Sequence, residues 1–352
     1  MRSSKFGVIF LITLVVLGGT SCSYYNRIIA RKNLVDGSKA YKDRKFAEAE
    51  QLFRTAAAID PKGETLEGRT AQLFLARTLH SEYIGDRQNK AKAEAAIEAY
   101  KKALPAVLKE YAEARSTYEK GAADPANQRR YAGALSDAVS TAGAVSGLYD
   151  NIQMPDQAME WRNTVAADTS YPEAARAAAY NSIAAKSNTC ANDITDTEAT
   201  KKTVKGPDGK DMFQYVKPAN AADLDTLKKC VADGTDAADK ALALEPQMVK
   251  EAPQELDVKA ATDEQLRLYQ EMIKPFESSR SYKAAMTVQA MRLAEMEGRT
   301  ADRDSLKTQS EDQRQAYNQL GELDKKIQQE MDDRAAAKEA AEGANTNANK
   351  AK

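Results

Sequence analysis

The chain has 352 residues, of which 42% are hydrophobic and 29% are charged, so it can build a core and keep a soluble surface. Lys and Arg number 51 and Asp and Glu number 52, and this balance lacks the basic excess that nucleic-acid binding favours. Alanine recurs in short runs, which favours helix because alanine loses no side-chain entropy there. Composition therefore predicts a helical protein that does not bind nucleic acid.

Catalytic motifs do not occur in the sequence. It has one histidine, His80, and no GxSxG, HExxH or CxxC motif or phosphate-binding glycine loop. His80 and Trp161 lie on stretches with helical patterns, where such residues more often pack than react. We therefore expect no enzyme activity, no catalytic residue, no metal and no cofactor.

Residues 1–21 have the layout of a secretory signal peptide. Arg2 and Lys5 precede an apolar run from Phe6 to Leu17, which is shorter than the roughly 20 residues that a membrane span needs. Small residues at 18–21 then lead to Cys22, and this arrangement resembles a bacterial lipobox. The resemblance implies removal of residues 1–21, acylation of Cys22 and a lipidated tether over residues 22–29.

An alternative for this segment stays open. Gly19 stands where lipoboxes usually carry Leu, and positive charge at Arg27, Arg31 and Lys32 works against export of the preceding apolar run. The alternative is an uncleaved inner-membrane anchor with an incidental cysteine. Ser23 is not the Asp that commonly retains lipoproteins at the inner membrane. We expect a lipid-anchored protein of the bacterial envelope, on the outer membrane where one exists.

Two further cysteines, Cys190 and Cys230, remain after Cys22. An even remainder in an exported chain predicts one disulfide. The alternative is a pair of buried free thiols.

Residues 30–61 carry the clearest repeat pattern. A first helix carries small and aromatic residues at Gly37, Ala40 and Tyr41. A second helix opens at Phe46 and carries them at Ala49, Phe53 and Ala56. Pro61 then ends the second helix. Ala-x3-Phe followed eight residues later by Pro resembles the second helix of a tetratricopeptide (TPR) unit. The resemblance implies helical hairpins that stack serially into an α-α solenoid.

The pattern returns along the chain with drift. Ala96, Tyr100 and Ala103 repeat the same spacing, and residues 241–246 repeat the motif of residues 56–61. Between these units, apolar residues over 105–121 are spaced as in an amphipathic helix. A helix from Tyr282 to Met296, followed by Gly298-Arg299 and a long helix, resembles a terminal unit. We expect one TPR-like domain over residues 30–320.

Two segments depart from the repeat. Residues 191–220 are polar, and Asp208-Gly209 between short β-prone runs predicts either a hairpin insertion or a disordered loop. From Thr300 onwards the composition favours helix, with an apolar stripe at Leu306, Tyr317, Leu320, Leu323 and Ile327. We expect a charged helical extension over 321–341 and a disordered tail over 342–352.

The expected function follows from the solenoid. Stacked hairpins form a concave wall that docks partner peptides or helices, and in the first repeat the candidate wall residues are Arg31, Leu34, Ser38, Tyr41 and Lys42. We expect an interaction scaffold for other envelope proteins that binds no small-molecule cofactor. One alternative is a structural subunit of an envelope machine, such as an outer-membrane protein-insertion complex. A lesser alternative is a glycan-binding lipoprotein, against which one Trp and seven Phe argue.

Overall fold

A computed structural model describes residues 25–350, with side chains described for residues 25–341. The predicted signal peptide and Cys22 lie outside the described residues. The chain is all-α with one two-stranded insertion, and helices pack against their neighbours in a solenoid-like arrangement within each unit. This confirms the predicted fold class.

The helices and strands follow the chain in one order. The first five helices are α1 (25–42), α2 (Phe46–Ile59), α3 (Leu66–Gly85), α4 (Lys90–Lys120) and α5 (Pro125–Asn151). They are followed by α6 (Pro155–Ala167), α7 (Glu173–Thr195), β1 (Lys201–Lys205), β2 (Asp211–Tyr215) and α8 (Ala221–Ala243). The last three are α9 (Gln247–Glu255), α10 (Asp263–Met296) and α11 (Thr300–Lys350).

The chain forms two compact units where the sequence predicts a single repeat domain. The described residues of the first unit are 25–110 and 144–158, and those of the second are 111–143 and 159–350. The division therefore falls within α4, α5 and α6.

The first unit opens with the predicted hairpin. Helix α1 already includes residues 25–29, which the sequence assigns to a tether, and α2 begins at Phe46 as predicted. Arg44 takes the left-handed conformation in the turn, with φ of 60°. Ala49, Phe53 and Ala56 are fully buried, and Ala40, Ala49 and Phe53 form a first-unit core. The small and aromatic residues of this hairpin thus pack together in the core of the first unit.

Gly37 allows α1 to approach α2 closely. A Cβ atom at this position would lie 2.8 Å from Cε1 of the Phe53 ring. The ring is itself buried and lies 5.4 Å from the ring of Phe74 on α3, centroid to centroid. The hairpin therefore requires the absence of a side chain at residue 37.

Proline does not break two long helices where the sequence suggests a boundary. Residues 105–120 are helical, as predicted, but they belong to α4, which continues through Pro105 without interruption. Pro275 likewise lies inside α10, which begins at Asp263 rather than near Tyr282. A proline removes one helical hydrogen bond, but buried neighbours such as Leu104 and Val107 keep the helix packed on both sides of Pro105.

The second unit packs α7, α8 and α10 together. One core consists of Ala191, Tyr215, Leu227, Val231, Leu293 and Met296. The disulfide joins Cys190 on α7 to Cys230 on α8, with a Cα–Cα distance of 6.1 Å, as predicted. Between the cysteines, β1 and β2 form an antiparallel hairpin in which Lys201 pairs with Tyr215. The insertion is therefore a hairpin, the first of the two expected alternatives.

Helix α11 packs along α10. Leu320, Leu323 and Ile327 are buried, whereas Leu306 and Tyr317 are half-buried. The helical backbone continues through Lys350, where the sequence predicts a disordered tail from residue 342. Alanine-rich residues at 335–341 favour this continuation, because alanine has the highest helix propensity.

The guanidinium of Arg334 holds the distal part of α11 in place. It donates hydrogen bonds to the carbonyls of Ala261, Val258 and Lys259 at 2.9 to 3.3 Å. It also forms an ion pair with Asp263 at 2.8 Å. The extension that the sequence predicts beyond residue 320 is therefore part of the packed second unit as far as Arg334.

Candidate binding cleft

Two of the predicted wall residues on α1 contribute to the core. Leu34 and Tyr41 are half-buried against the first-unit core. The Tyr41 hydroxyl lies 3.1 Å from the hydroxyl of Ser81, and its ring meets Phe74 edge-on at 6.1 Å. Both side chains therefore join α1 to α3, and a partner would have to displace these contacts to reach them.

The other three predicted wall residues differ in exposure. The Ser38 hydroxyl is half-buried and donates to the carbonyl of Leu34 at 2.7 Å, within its own helix. Arg31 and Lys42 are exposed. The five predicted residues therefore do not form one open surface.

His80 and Trp161 have packing roles. Nδ1 of His80 lies 3.2 Å from the Tyr100 hydroxyl, and burial lowers the pKa of the imidazole. Burial also raises the pKa of Tyr100 to about 12. The indole N–H of Trp161 donates to the carbonyl of Ala142 at 2.9 Å. Both residues sit where the sequence places them, on helices and against neighbours.

The second unit contains a cleft of about 370 Å³, which we call the tyrosine–methionine cleft. Five helical segments contribute to it, and its lining combines aromatic, thioether and charged side chains. The lining residues are Arg115, Tyr118, Glu119, Tyr131, Glu173, Leu244, Pro246, Met248 and Met272.

Stacked tyrosines form one wall of the cleft. The rings of Tyr118 and Tyr131 stack with centroids 4.9 Å apart and an interplanar angle of 21°. Tyr111 packs on the other side of the group, 5.9 Å from Tyr131. Burial raises the pKa values of all three phenols, most strongly that of Tyr131, so they stay protonated at neutral pH. The wall is thus aromatic and uncharged.

An ion pair lies at the rim of the cleft. Nη1 of Arg115 is 3.0 and 3.2 Å from the two carboxylate oxygens of Glu173, and Nε is 2.9 Å from Glu119. Burial disfavours the charge on Arg115, but hydrogen bonds to Glu119 and Glu173 outweigh it and raise the pKa. Glu173 lies in the first turn of α7, where a negative charge interacts favourably with the helix dipole. The guanidinium is therefore fixed in position and charged.

Another part of the lining is apolar and adaptable. Met248 and Leu244 are half-buried beside the α8–α9 junction, and Met272 on α10 is buried. Methionine adjusts its shape to different ligands, and tyrosine is enriched at interfaces because it is apolar with a polar tip. A volume of this size suits one or two side chains of a partner.

The sequence gives only part of this cleft. Tyr111, Arg115 and Tyr118 follow spacings of four and three residues on α4, so their common face can be read from the helix period. Glu173 and Met272 come from distant parts of the chain. No local pattern connects them to α4.

A second cavity in the same unit has a volume of about 450 Å³ and lies between α6, α7 and α10. The amide nitrogen of Asn181 donates to the carbonyl of Pro275 at 2.7 Å. This hydrogen bond gives the carbonyl of Pro275, in the proline-containing turn of α10, a donor from α7. Arg162 and Lys186 also line the cavity. We assign the second cavity no ligand.

Within the described part of the chain, no group of three or more His, Cys, Asp and Glu side chains is arranged to hold a metal ion. Among residues 25–350, no helix combines the length and the apolar character needed to cross a membrane. Comparison with known proteins found no matching family model, no matching curated protein and no matching solved structure.

Proposed function

We propose that this chain is an envelope-anchored, TPR-like lipoprotein that binds other proteins, with the tyrosine–methionine cleft as one docking site. The anchor is acylated Cys22, and the partners are proteins or peptides of the bacterial envelope. The protein acts as a scaffold and catalyses no reaction.

The cleft is the observation that carries this proposal. Its lining combines the stacked tyrosines Tyr118 and Tyr131 with adaptable side chains such as Met248 and with the paired Arg115. Interfaces are enriched in Tyr, Met and Arg relative to the rest of a protein surface. The occupant that fits this chemistry is an apolar or aromatic side chain of a partner, followed by a polar group at the rim, where Arg115 is already paired with Glu119 and Glu173.

Two further features support the compartment and the architecture. The disulfide between Cys190 and Cys230 fits an oxidising compartment, where such bonds persist. The hairpin of α1 and α2 packs small residues against Phe53 as TPR units do.

Site-specific photocrosslinking in intact cells tests the docking site. A photoreactive amino acid replaces Glu119 at the rim of the cleft in the full chain, and Gln329, an exposed residue of α11, is the control position. We expect a discrete protein adduct from residue 119 that is absent from residue 329. The substitution Met248→Glu should reduce the adduct at least fivefold, because it places a charge in the apolar wall.

Three results would contradict parts of the proposal. No adduct from residue 119, or an adduct unaffected by Met248→Glu, would remove the cleft as a docking site. Stable stoichiometric co-purification with an integral membrane protein would favour the structural-subunit alternative instead. Membrane association and fatty-acid labelling that persist in Cys22→Ala would show that the anchor is not a lipid on this cysteine.

A further inference from the structure

Helix α1 leaves large apolar side chains on its outer face. Tyr25, Ile28 and Val35 are 64%, 50% and 61% exposed. At 100° per residue these three positions fall within one sector of the helix. The opposite side carries Ala30, Gly37 and Ala40, which are buried. The outer face is therefore apolar without contributing to the first-unit core.

The same sector is strongly basic. Arg31, Lys32, Lys39 and Lys42 are exposed, and none forms an ion pair with a described residue. Asp36 is the acidic residue of α1. Residues 25–45 contain seven basic and two acidic side chains, although the formal net charge of the whole chain is −1. Positive charge is therefore concentrated on this helix.

An apolar strip flanked by basic residues is typical of helices that lie in a membrane interface. Such a helix buries its apolar residues at the boundary between headgroups and acyl chains, and its Lys and Arg side chains contact anionic lipids. Basic residues near the surface each strengthen binding, and salt weakens the attraction. Acidic partner proteins would match the charge, but they would not explain an apolar strip that begins at the N-terminal end of the helix.

The position of α1 in the chain favours a membrane as the occupant. Only residues 23 and 24 separate Cys22 from Tyr25, the first described residue of α1, so the distance from Cys22 to Tyr25 is at most about 10 Å. An acyl group on Cys22 would thus hold the basic, apolar face within reach of the lipid headgroups. This step rests on the proposed anchor.

We propose that α1 lies flat in the headgroup layer of an anionic membrane, with Tyr25, Ile28 and Val35 at the acyl boundary. The four basic side chains contact lipid phosphates. The lipid anchor and the helix then act as two attachments, which together hold a protein more firmly than one acyl chain does. The helix fixes the orientation of the first unit at the membrane.

Fluorescence quenching on vesicles tests this placement with the full, acylated chain. Val35→Cys carries an environment-sensitive dye, and Ala95→Cys on α4 is the control position, since both residues are exposed. The disulfide and the acyl group leave the introduced thiol as the site of labelling. Vesicles contain about one third phosphatidylglycerol and a lipid with a nitroxide at headgroup depth. We expect at least twofold quenching at residue 35 and none at residue 95.

Charge variants then test the role of the basic residues. Replacing Arg31, Lys32, Lys39 and Lys42 together by Glu should abolish the quenching at residue 35. The matched control replaces four exposed lysines of the same unit by Glu, which changes the net charge equally; these are Lys62, Lys90, Lys102 and Lys109. The control variant should keep the quenching. Phosphatidylcholine vesicles, or 0.5 M salt, should reduce it.

The outcomes separate this inference from the proposed function. Protein that floats with the vesicles but shows no quenching at residue 35 overturns the docking of α1 and leaves the anchor intact. Equal quenching in neutral vesicles, or quenching that survives reversal of the four charges, overturns the assignment to anionic lipid. Protein that does not float with anionic vesicles overturns both the anchor and the docking.

Discussion

Replacing Gly37 by Ala tests the close approach of α1 to α2. The added methyl group would lie 2.8 to 3.1 Å from three carbons of the Phe53 ring. That ring is completely buried and in contact with Phe74, so it has little room to move. We expect the substitution to destabilise the first unit.

The expected magnitude is the difference between two opposing effects. In a helix, Ala is favoured over Gly by about 1 kcal/mol. Overpacking of a buried contact typically costs about 1 to 3 kcal/mol. Gly37→Ala should therefore change the free energy of unfolding by between about 0 and 2 kcal/mol in the destabilising direction. Gly147→Ala, in the same unit with no atom within 4 Å of the new methyl, should stabilise by up to about 1 kcal/mol.

A double mutant isolates the contact between the two residues. Phe53→Leu removes the ring, so Gly37→Ala in that background should become neutral or stabilising, with a coupling energy of about 1 to 2 kcal/mol. Hydrogen exchange of peptides from α2, followed by mass spectrometry, reads the stability of the first unit alone. If Gly37→Ala stabilises as much as Gly147→Ala, the close approach does not exist and the reasoning fails.

Three other predictions concern stability. Replacing Cys190 and Cys230 by Ser should lower the free energy of unfolding of the second unit by about 4 kcal/mol, because the disulfide closes a loop of 40 residues. Urea denaturation measures this change, and a reductant should have no further effect on the variant. Arg334→Ala should speed hydrogen exchange in the distal part of α11 severalfold, because it removes the hydrogen bonds to the carbonyls of Ala261, Val258 and Lys259, whereas exposed Lys338→Ala should leave the exchange unchanged. Burial lowers the pKa of His80 below 6.5, so the folded state binds this proton less well than the unfolded state does. The free energy of unfolding should therefore fall as the pH is lowered from about 7.5 to about 5.5, and that of the His80→Gln variant should fall less steeply.

Local sequence rules predicted the elements that depend on neighbours in the chain. The start of α2 at Phe46 and the end of α10 at Met296, before Gly298 with φ of 76°, follow from turn and packing signals. The hairpin forms around Gly209, whose φ of 77° suits a residue without a side chain. The disulfide was predicted from the even number of cysteines left after Cys22 and from the expected export of the chain, not from geometry.

Other features depend on contacts between distant residues. Pro105 and Pro275 lie inside helices because tertiary packing on both sides outweighs the local loss of a hydrogen bond. Arg334 binds carbonyls more than 70 residues away, so its spacing from apolar neighbours carries no signal of that role. The packing of two predicted wall residues, Leu34 and Tyr41, could not be foreseen, because both contact residues of α3, whose position relative to α1 cannot be read from the repeat alone.

The placement of the disulfide has a consequence for proteolysis. Cys190 and Cys230 enclose the whole hairpin, whose turn residues 207–210 are exposed. A protease that cuts within this turn divides the polypeptide but leaves both fragments covalently joined at α7 and α8. A nicked molecule would therefore migrate as two bands only after reduction, and its fragments would stay covalently joined under oxidising conditions.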